Sequence, residues 1–189
     1  MIHICYGMRD SSGHYSKFVG TSMLSMFENT REKITVHILH DSTLTDDNRN
    51  KLEQIVSMYQ QQIRFYNVDE LVPESVDAIN AKIDSIKQHP ATVAAFYRIL
   101  IPDVLPKNIS RAVYLDGDMI INLDIKELWN FDLGRFSIGA VPEYFSGIDL
   151  DKNIFLLREK IVDSRDYFNS GMLLMDLNRA RITGGGDAS

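Results

Sequence analysis

Asp116 and Asp118 stand one glycine apart between two apolar runs, Val113-Tyr114-Leu115 before them and Ile120-Ile121 just after. In an extended strand the side chains at i and i+2 share a face, so the two carboxylates converge on one point. Gly117 between them carries no Cβ, which lets the backbone bend and a bulky group approach closely. Two hard oxygen ligands suit Mg²⁺ or Mn²⁺, ions that keep part of their coordination shell for substrate phosphates. The chemistry implied is a metal–diphosphate site at the carboxyl edge of a sheet, where α/β proteins place their ligands. The competing reading is a plain turn, since Asp-Gly is a common turn dipeptide. Apolar flanks on both sides favour the metal, as does the mutual repulsion of two carboxylates on one face without a counter-ion.

A D-x-D sequence alone is weakly specific. It also occurs in haloacid-dehalogenase-like phosphatases, where the first aspartate is a nucleophile closing the first strand. Here the pair lies past mid-chain, and that enzyme class stands as an alternative. Arg98, inside the apolar stretch Phe96-Tyr97-Arg98-Ile99-Leu100, either snorkels to solvent or donates to a diphosphate or a sugar hydroxyl. Asn169-Ser170-Gly171 leads into the apolar Met172–Met175, while Asp10 and Tyr15 fall in the first loop and Glu143 follows Val141-Pro142. Taken by themselves these are ordinary loop and junction residues. No G-x-G-x-x-G or G-x-x-x-x-G-K-[ST] stretch is present, which removes a Rossmann dinucleotide site and a Walker site from consideration. The five histidines show no metal-ligand spacing, and core or solvent roles suit them.

Alternating strands and helices must position these residues. Ile2–Tyr6 reads as a first strand, followed by a Gly-, Ser- and Asp-rich turn from Gly7 to Gly13 suited to facing a ligand. Phe18, Val19, Met23, Met26 and Phe27 recur at helical spacing. Ile34–Leu39 is a second strand. Thr45 is placed to cap a helix with Asp46 and Asp47 in its first turn, and Leu52, Ile55, Val56 and Tyr59 form its buried stripe. Ile63–Tyr66 is a third strand, and a mostly polar segment follows to Pro90. Thr92 to Ile101 reads as a helix ending before Pro102. Ile125–Trp129 is one helical turn, and Phe136–Val141 and Gly171–Leu177 are further strands. This alternation predicts βαβ units and a largely parallel sheet.

The chain has 189 residues, enough for one domain with a real core. Its net charge of −6 and scattered basic residues argue against nucleic acid. A single cysteine, Cys5, excludes an internal disulfide and fits a reducing compartment. No apolar stretch approaches the ~20 residues of a membrane span, and the start lacks a signal-peptide pattern. The expectation is a cytoplasmic protein. Residues 184–189, Gly-Gly-Gly-Asp-Ala-Ser, read as a flexible or appended tail.

Five segments follow one another in a telling order. They are Ile4-Cys5-Tyr6 through Tyr15-Ser16-Lys17, then Ala94-Ala95-Phe96-Tyr97-Arg98-Ile99-Leu100, then Arg111-Ala112-Val113-Tyr114-Leu115-Asp116-Gly117-Asp118. Ile138-Gly139-Ala140-Val141 and Tyr167-Phe168-Asn169-Ser170-Gly171-Met172-Leu173-Leu174-Met175-Asp176-Leu177 complete the series. Together they resemble glycosyltransferase family 8, the retaining enzymes that include bacterial lipopolysaccharide galactosyl- and glucosyltransferases and glycogenin. The resemblance implies an α/β GT-A fold, a Rossmann-like, mostly parallel sheet flanked by helices. It implies Mn²⁺, with Mg²⁺ as the alternative, held by Asp116 and Asp118 on the diphosphate of a UDP-hexose. Arg98 would face the donor sugar and phosphates, Tyr15 would border the uracil with Gly7 nearby, and Gly117 would lie beside the metal. Asn169 and Ser170 would line the sugar subsite, with Glu143 as an acidic sugar contact.

Two departures from the family pattern carry expectations of their own. Ser12-Gly13-His14 replaces the family's Asp-Asp-Asn before the loop tyrosine, after an insertion, which leaves Asp10 as the substitute at the base. The chain also stops soon after Asn178-Arg179, short of the family's Asp-Gln-Asp segment and its His-x-x-Gly-x-x-Lys-Pro-Trp stretch. Residues 1–183 are therefore expected to be the N-terminal part of such a domain, and the uncovered apolar surface would favour self-association into a homo-oligomer. The reaction implied is transfer of glucose or galactose to the hydroxyl of a saccharide or glycoconjugate. A nucleotide-sugar-binding module without turnover is the remaining alternative.

Overall fold

The computed structural model describes residues 1–85, 93–142 and 168–184. Among them are six strands in one sheet: β1 (Ile2–Met8), β2 (Ile34–His40), β3 (Gln62–Asn67), β4 (Arg111–Leu115), β5 (Ile138–Pro142) and β6 (Phe168–Asp176). The spatial order is β3-β2-β1-β4-β6-β5. The pairs β1–β2, β2–β3 and β1–β4 are parallel, whereas β6 runs antiparallel to both β4 and β5. The mostly parallel sheet is as expected. From β1 the chain steps outward to β2 and β3, then returns to lay β4 on the other side of β1. That reversal opens a crevice between the carboxyl ends of β1 and β4.

Helices cover both faces. On one, α1 (Tyr15–Asn29), α2 (Asp46–Met58) and α6 (Ile125–Trp129) pack on Ile4, Tyr6, Val36, Val113 and Leu115. On the other, α3 (Val68–Leu71), α4 (Pro73–Ser85), a 3₁₀ turn (Val93–Phe96), α5 (Tyr97–Val104) and α7 (Leu177–Gly184) surround Cys5, Leu39, Tyr114 and Leu173. Successive strand residues thus alternate between two cores, as the period-2 pleat requires. The Thr45 hydroxyl caps α2 by accepting the Asn48 amide at 3.3 Å, and Leu52 and Val56 form its buried side.

Two expectations change. The polar segment after β3 contains α3 and α4. Asn67 caps α3, Pro73 takes the first position of α4 where its missing N–H is harmless, and Val72, Val76 and Ile79 pack on the second core. The helix from residue 93 also does not stop before Pro102, but runs through it to Val104. In so short a helix the proline forfeits a single bond, to the Arg98 carbonyl, while burial of Tyr97, Leu100 and Ile101 holds the turn in place.

Candidate active site

The strand β4 ends at Leu115, one residue before the first carboxylate. The Asp116 amide donates to the Gly171 carbonyl at 2.7 Å, and the Met119 amide reaches back to the Asp116 carbonyl at 3.3 Å. Asp116 and Asp118 therefore sit on a turn beyond the strand, not on one face of an extended strand as their spacing suggested. The bend is at buried Gly117, where a Cβ would lie 2.7 Å from Val19 Cγ2 and 3.1 Å from Tyr15 Cε1. Both carboxylates still reach one cleft of about 200 Å³, lined also by Gly7, Arg9, Tyr15, Ala94, Ala95, Arg98 and Tyr114. That cleft occupies the crevice at the carboxyl ends of β1 and β4.

Asp116 is held firmly. Its Oδ1 accepts the Tyr114 hydroxyl at 2.7 Å and an Arg98 guanidinium nitrogen at 3.0 Å. The guanidinium lies 4.6 Å from the centre of the Tyr114 ring, a cation–π contact. It also donates to the Ser170 hydroxyl at 2.8 Å and to the Ser170 and Ala95 carbonyls. With only 12% of its side chain exposed, Arg98 does not snorkel to solvent. Burial pushes the Tyr114 phenol well above its ordinary range, so it keeps its proton and donates. Tyr15 is raised too, chiefly by burial and then by the charges of Asp116 and Asp118, against a hydrogen bond from the Gly117 backbone.

The donor set fits a hard divalent ion. Among the described residues no group of three or more His, Cys, Asp or Glu side chains converges. Two carboxylates on one cleft, Asp118 exposed and Asp116 half-buried, match ions that take one or two carboxylates and complete their shell with water and phosphate.

The remaining candidates separate. Gly7 and Tyr15 line the cleft with the aspartates and Arg98. Asn169 is exposed and its Oδ1 accepts the Gly171 amide at 2.8 Å. Ser170 lies on a neighbouring, larger cleft of about 730 Å³ that shares Arg98. Asp10 does not line this cleft. It is 2% exposed, and its Oδ1 accepts the Tyr15 and Ser16 amides at 2.7 and 3.2 Å while Oδ2 accepts Asn48 Nδ2 at 2.9 Å. It caps α1, a role that its position five residues upstream disguised. Glu143 lies outside the described residues. His37 joins His3 and Tyr66 at 3.0 Å each inside the fold, a core role. Sequence reasoning passed over Arg9 and Tyr114. For Tyr114 a signal existed: it stands two residues before Asp116, at the end of the strand that leads into the carboxylates.

A family model described as Glycosyl transferase family 8 matches residues 8–184. General stress protein A of Bacillus subtilis (strain 168) is 27% identical over 170 residues, covering 89% of this chain and 54% of that protein. The chain spans about half the length of the curated relatives it matches. Among solved structures, the galactosyltransferase LgtC in complex with donor and acceptor sugar analogs aligns with a TM-score of 0.72 at 18% identity, over 96% of this chain and 60% of that one. The bifunctional glycosyltransferase WbbM aligns with a TM-score of 0.71 at 15% identity, over 97% and 32%. At such identities the structural likeness concerns the fold, a GT-A sheet. No helix among the described residues is long and apolar enough to cross a membrane.

Proposed function

Because the chain belongs to glycosyltransferase family 8, we propose that it serves the transfer of glucose or galactose from a UDP-sugar to a hydroxyl of a saccharide or glycoconjugate. Retention at the anomeric carbon and assistance by Mn²⁺, or Mg²⁺ in its place, complete the reading. The observation that carries it is the meeting of Asp116, Asp118, Arg98, Tyr15 and Gly7 on one cleft at the reversal point of the sheet. The dehalogenase-like phosphatase alternative falls away with family membership.

In this reading Asp116 and Asp118 would hold the metal, which supplies charge neutralisation for the departing UDP. Arg98 donates to the donor phosphates and sugar hydroxyls from a fixed position, so little reorganisation is needed as charge develops. Tyr15 borders the base, and Gly7 leaves room for it. Asn169 and Ser170, with Glu143, contact the sugar. Among the described residues no side chain of the cleft is a well-placed covalent nucleophile, which favours attack of the acceptor from the face the UDP leaves. A buried, unpaired Cys5 agrees with a reducing, cytoplasmic setting.

Calorimetry of UDP binding with Mn²⁺ and with EDTA tests the proposal. Binding should require Mn²⁺ and disappear in Asp118→Asn, with the melting temperature within about 1 °C of wild type because the side chain is exposed. Metal-independent UDP binding, or an unaffected mutant, would sink it. Turnover is read by UDP release from UDP-glucose and UDP-galactose in the presence of saccharide acceptors.

A further inference from the structure

Tyr114 is 2% exposed on β4, yet its functional atoms face the cleft. The hydroxyl donates to Asp116 Oδ1 at 2.7 Å, and the ring face carries the Arg98 guanidinium at 4.6 Å. Arg98 in turn donates to the same Oδ1 at 3.0 Å. One side chain thus touches both the anion and the cation of the site, through two chemically different parts. An aspartate side chain, free to turn about two C–C bonds, would otherwise be positioned by Arg98 alone, whose long side chain must also reach Ser170 across 72 residues of sequence.

We infer that Tyr114 is a positioning residue of the metal–diphosphate site: its hydroxyl orients the Asp116 carboxylate toward the cleft, and its ring holds Arg98 where it can meet a phosphate or sugar oxygen. The inference rests on reading this cleft as a metal–diphosphate site. With Oδ1 occupied from two sides, Oδ2 is the oxygen left for an incoming ion. That is the oxygen near Gly171, where an added Cβ would come within 2.8 Å. Groups that hydrogen-bond a ligating side chain from behind typically change metal affinity about 10- to 100-fold when removed.

The test compares wild type, Tyr114→Phe and Tyr6→Phe. Tyr6 is a matched control: it is fully buried in the neighbouring strand β1, and its hydroxyl meets Ser22 at 3.1 Å away from the cleft. Mn²⁺ binding without nucleotide is followed by the loss of the free-ion electron paramagnetic resonance signal, and UDP is then titrated into the Mn²⁺-loaded protein. Tyr114→Phe keeps the ring and Arg98, so any loss belongs to the hydroxyl. We expect Mn²⁺ affinity about tenfold weaker in Tyr114→Phe and unchanged in Tyr6→Phe, with comparable melting temperatures for the two variants. Equal Mn²⁺ affinity in all three proteins would overturn the inference, as would equal weakening by both variants, which would signal a loosened core. Wild-type protein that takes up no Mn²⁺ would remove the site and the inference with it. Wild-type protein that takes up Mn²⁺ but not UDP would sink only the nucleotide-sugar reading and leave the Tyr114 comparison decisive.

Discussion

Gly171→Ala should damage the site while leaving the protein folded, and the reason is a single short distance. A Cβ at Gly171 would lie 2.8 Å from Asp116 Oδ2 and 3.0 Å from Asn169 Oδ1. Ordinary van der Waals contact begins at 3.4 Å, so the carboxylate oxygen must retreat by 3.4 − 2.8, about 0.6 Å. It cannot do so freely, because Oδ1 is tied to Tyr114 and Arg98. The carboxylate therefore rotates or shifts as a unit, and the two aspartates no longer present their oxygens at the same spacing. Displacement of a fraction of an ångström at such a site is worth roughly a tenfold loss of Mn²⁺–UDP affinity, about 1.4 kcal/mol. Stability is another matter. Gly171 sits in β6 with no left-handed φ, so alanine is compatible with the backbone and restricts the unfolded chain, a gain of about 0.4–1 kcal/mol. That gain offsets part of the crowding, which for one extra methyl runs about 1–3 kcal/mol. The net cost is at most about 2.6 kcal/mol, so the melting temperature should fall by no more than roughly 10 °C. Calorimetry with Mn²⁺ and UDP, paired with thermal unfolding, separates the two effects. Wild-type affinity in Gly171→Ala, in a protein where Asp118→Asn abolishes binding, would show that the position of Asp116 Oδ2 does not matter and would refute the reasoning.

Two further outcomes follow from buried polar groups outside the cleft. Asp10→Ala strips acceptors from two helix amides and from Asn48, in a pocket with 2% exposure, and should destabilise by about 3 kcal/mol, lowering the melting temperature by roughly 6–12 °C. A melting temperature within about 1 °C of wild type together with lost UDP binding would instead return Asp10 to the base-recognition role. Burial, followed by the charges of His3 and Arg64, pushes the His37 imidazole down to about 3, so it is neutral when folded and takes up a proton on unfolding below about pH 6.5. The unfolded chain then binds more protons. Stability should rise with pH from about 3 to about 6.5, by up to roughly 1.4 kcal/mol per unit for this group, and level off above. Urea unfolding at about pH 5 and about pH 7.5 should show a difference that shrinks in His37→Gln, and an unchanged difference would refute the assignment.

What the sequence disclosed and what it hid divide along the length scale of the interactions. Strands β1, β2 and β3, the cap at Thr45 and the turn of helix at Ile125–Trp129 are written in local periodicity and in turn chemistry, and they appear within two residues of where those signals put them. Residues of α4 carry the same signal at Val76 and Ile79, but a polar background and a leading proline masked it. Asp10 is a different kind of miss. Nothing local says that Asn48, 38 residues away, will take one of its oxygens, so a loop aspartate looks equally suited to a ligand and to a cap. Arg98 shows the converse. Its two readings were balanced in sequence, and the balance tips only because the antiparallel pairing of β6 with β4 brings Ser170 and Asp116 to the same guanidinium.

The topology explains why these pairings had to come from afar. A crevice at the reversal point of a sheet is bounded by strands distant in sequence, here β1 and β4, and the antiparallel β6 delivers its first residues to the same edge. The motif Asp116-Gly117-Asp118 supplies charge that repels itself in isolation. The cation that steadies one carboxylate comes from α5, the backbone acceptor that pins its amide comes from β6, and the ring that covers Gly117 comes from α1. Each is placed by burial of apolar residues that face away from the cleft. The two carboxylates are thus brought to one cleft by contacts from three elements distant in sequence, which sets the first of them in place from behind rather than by the motif alone.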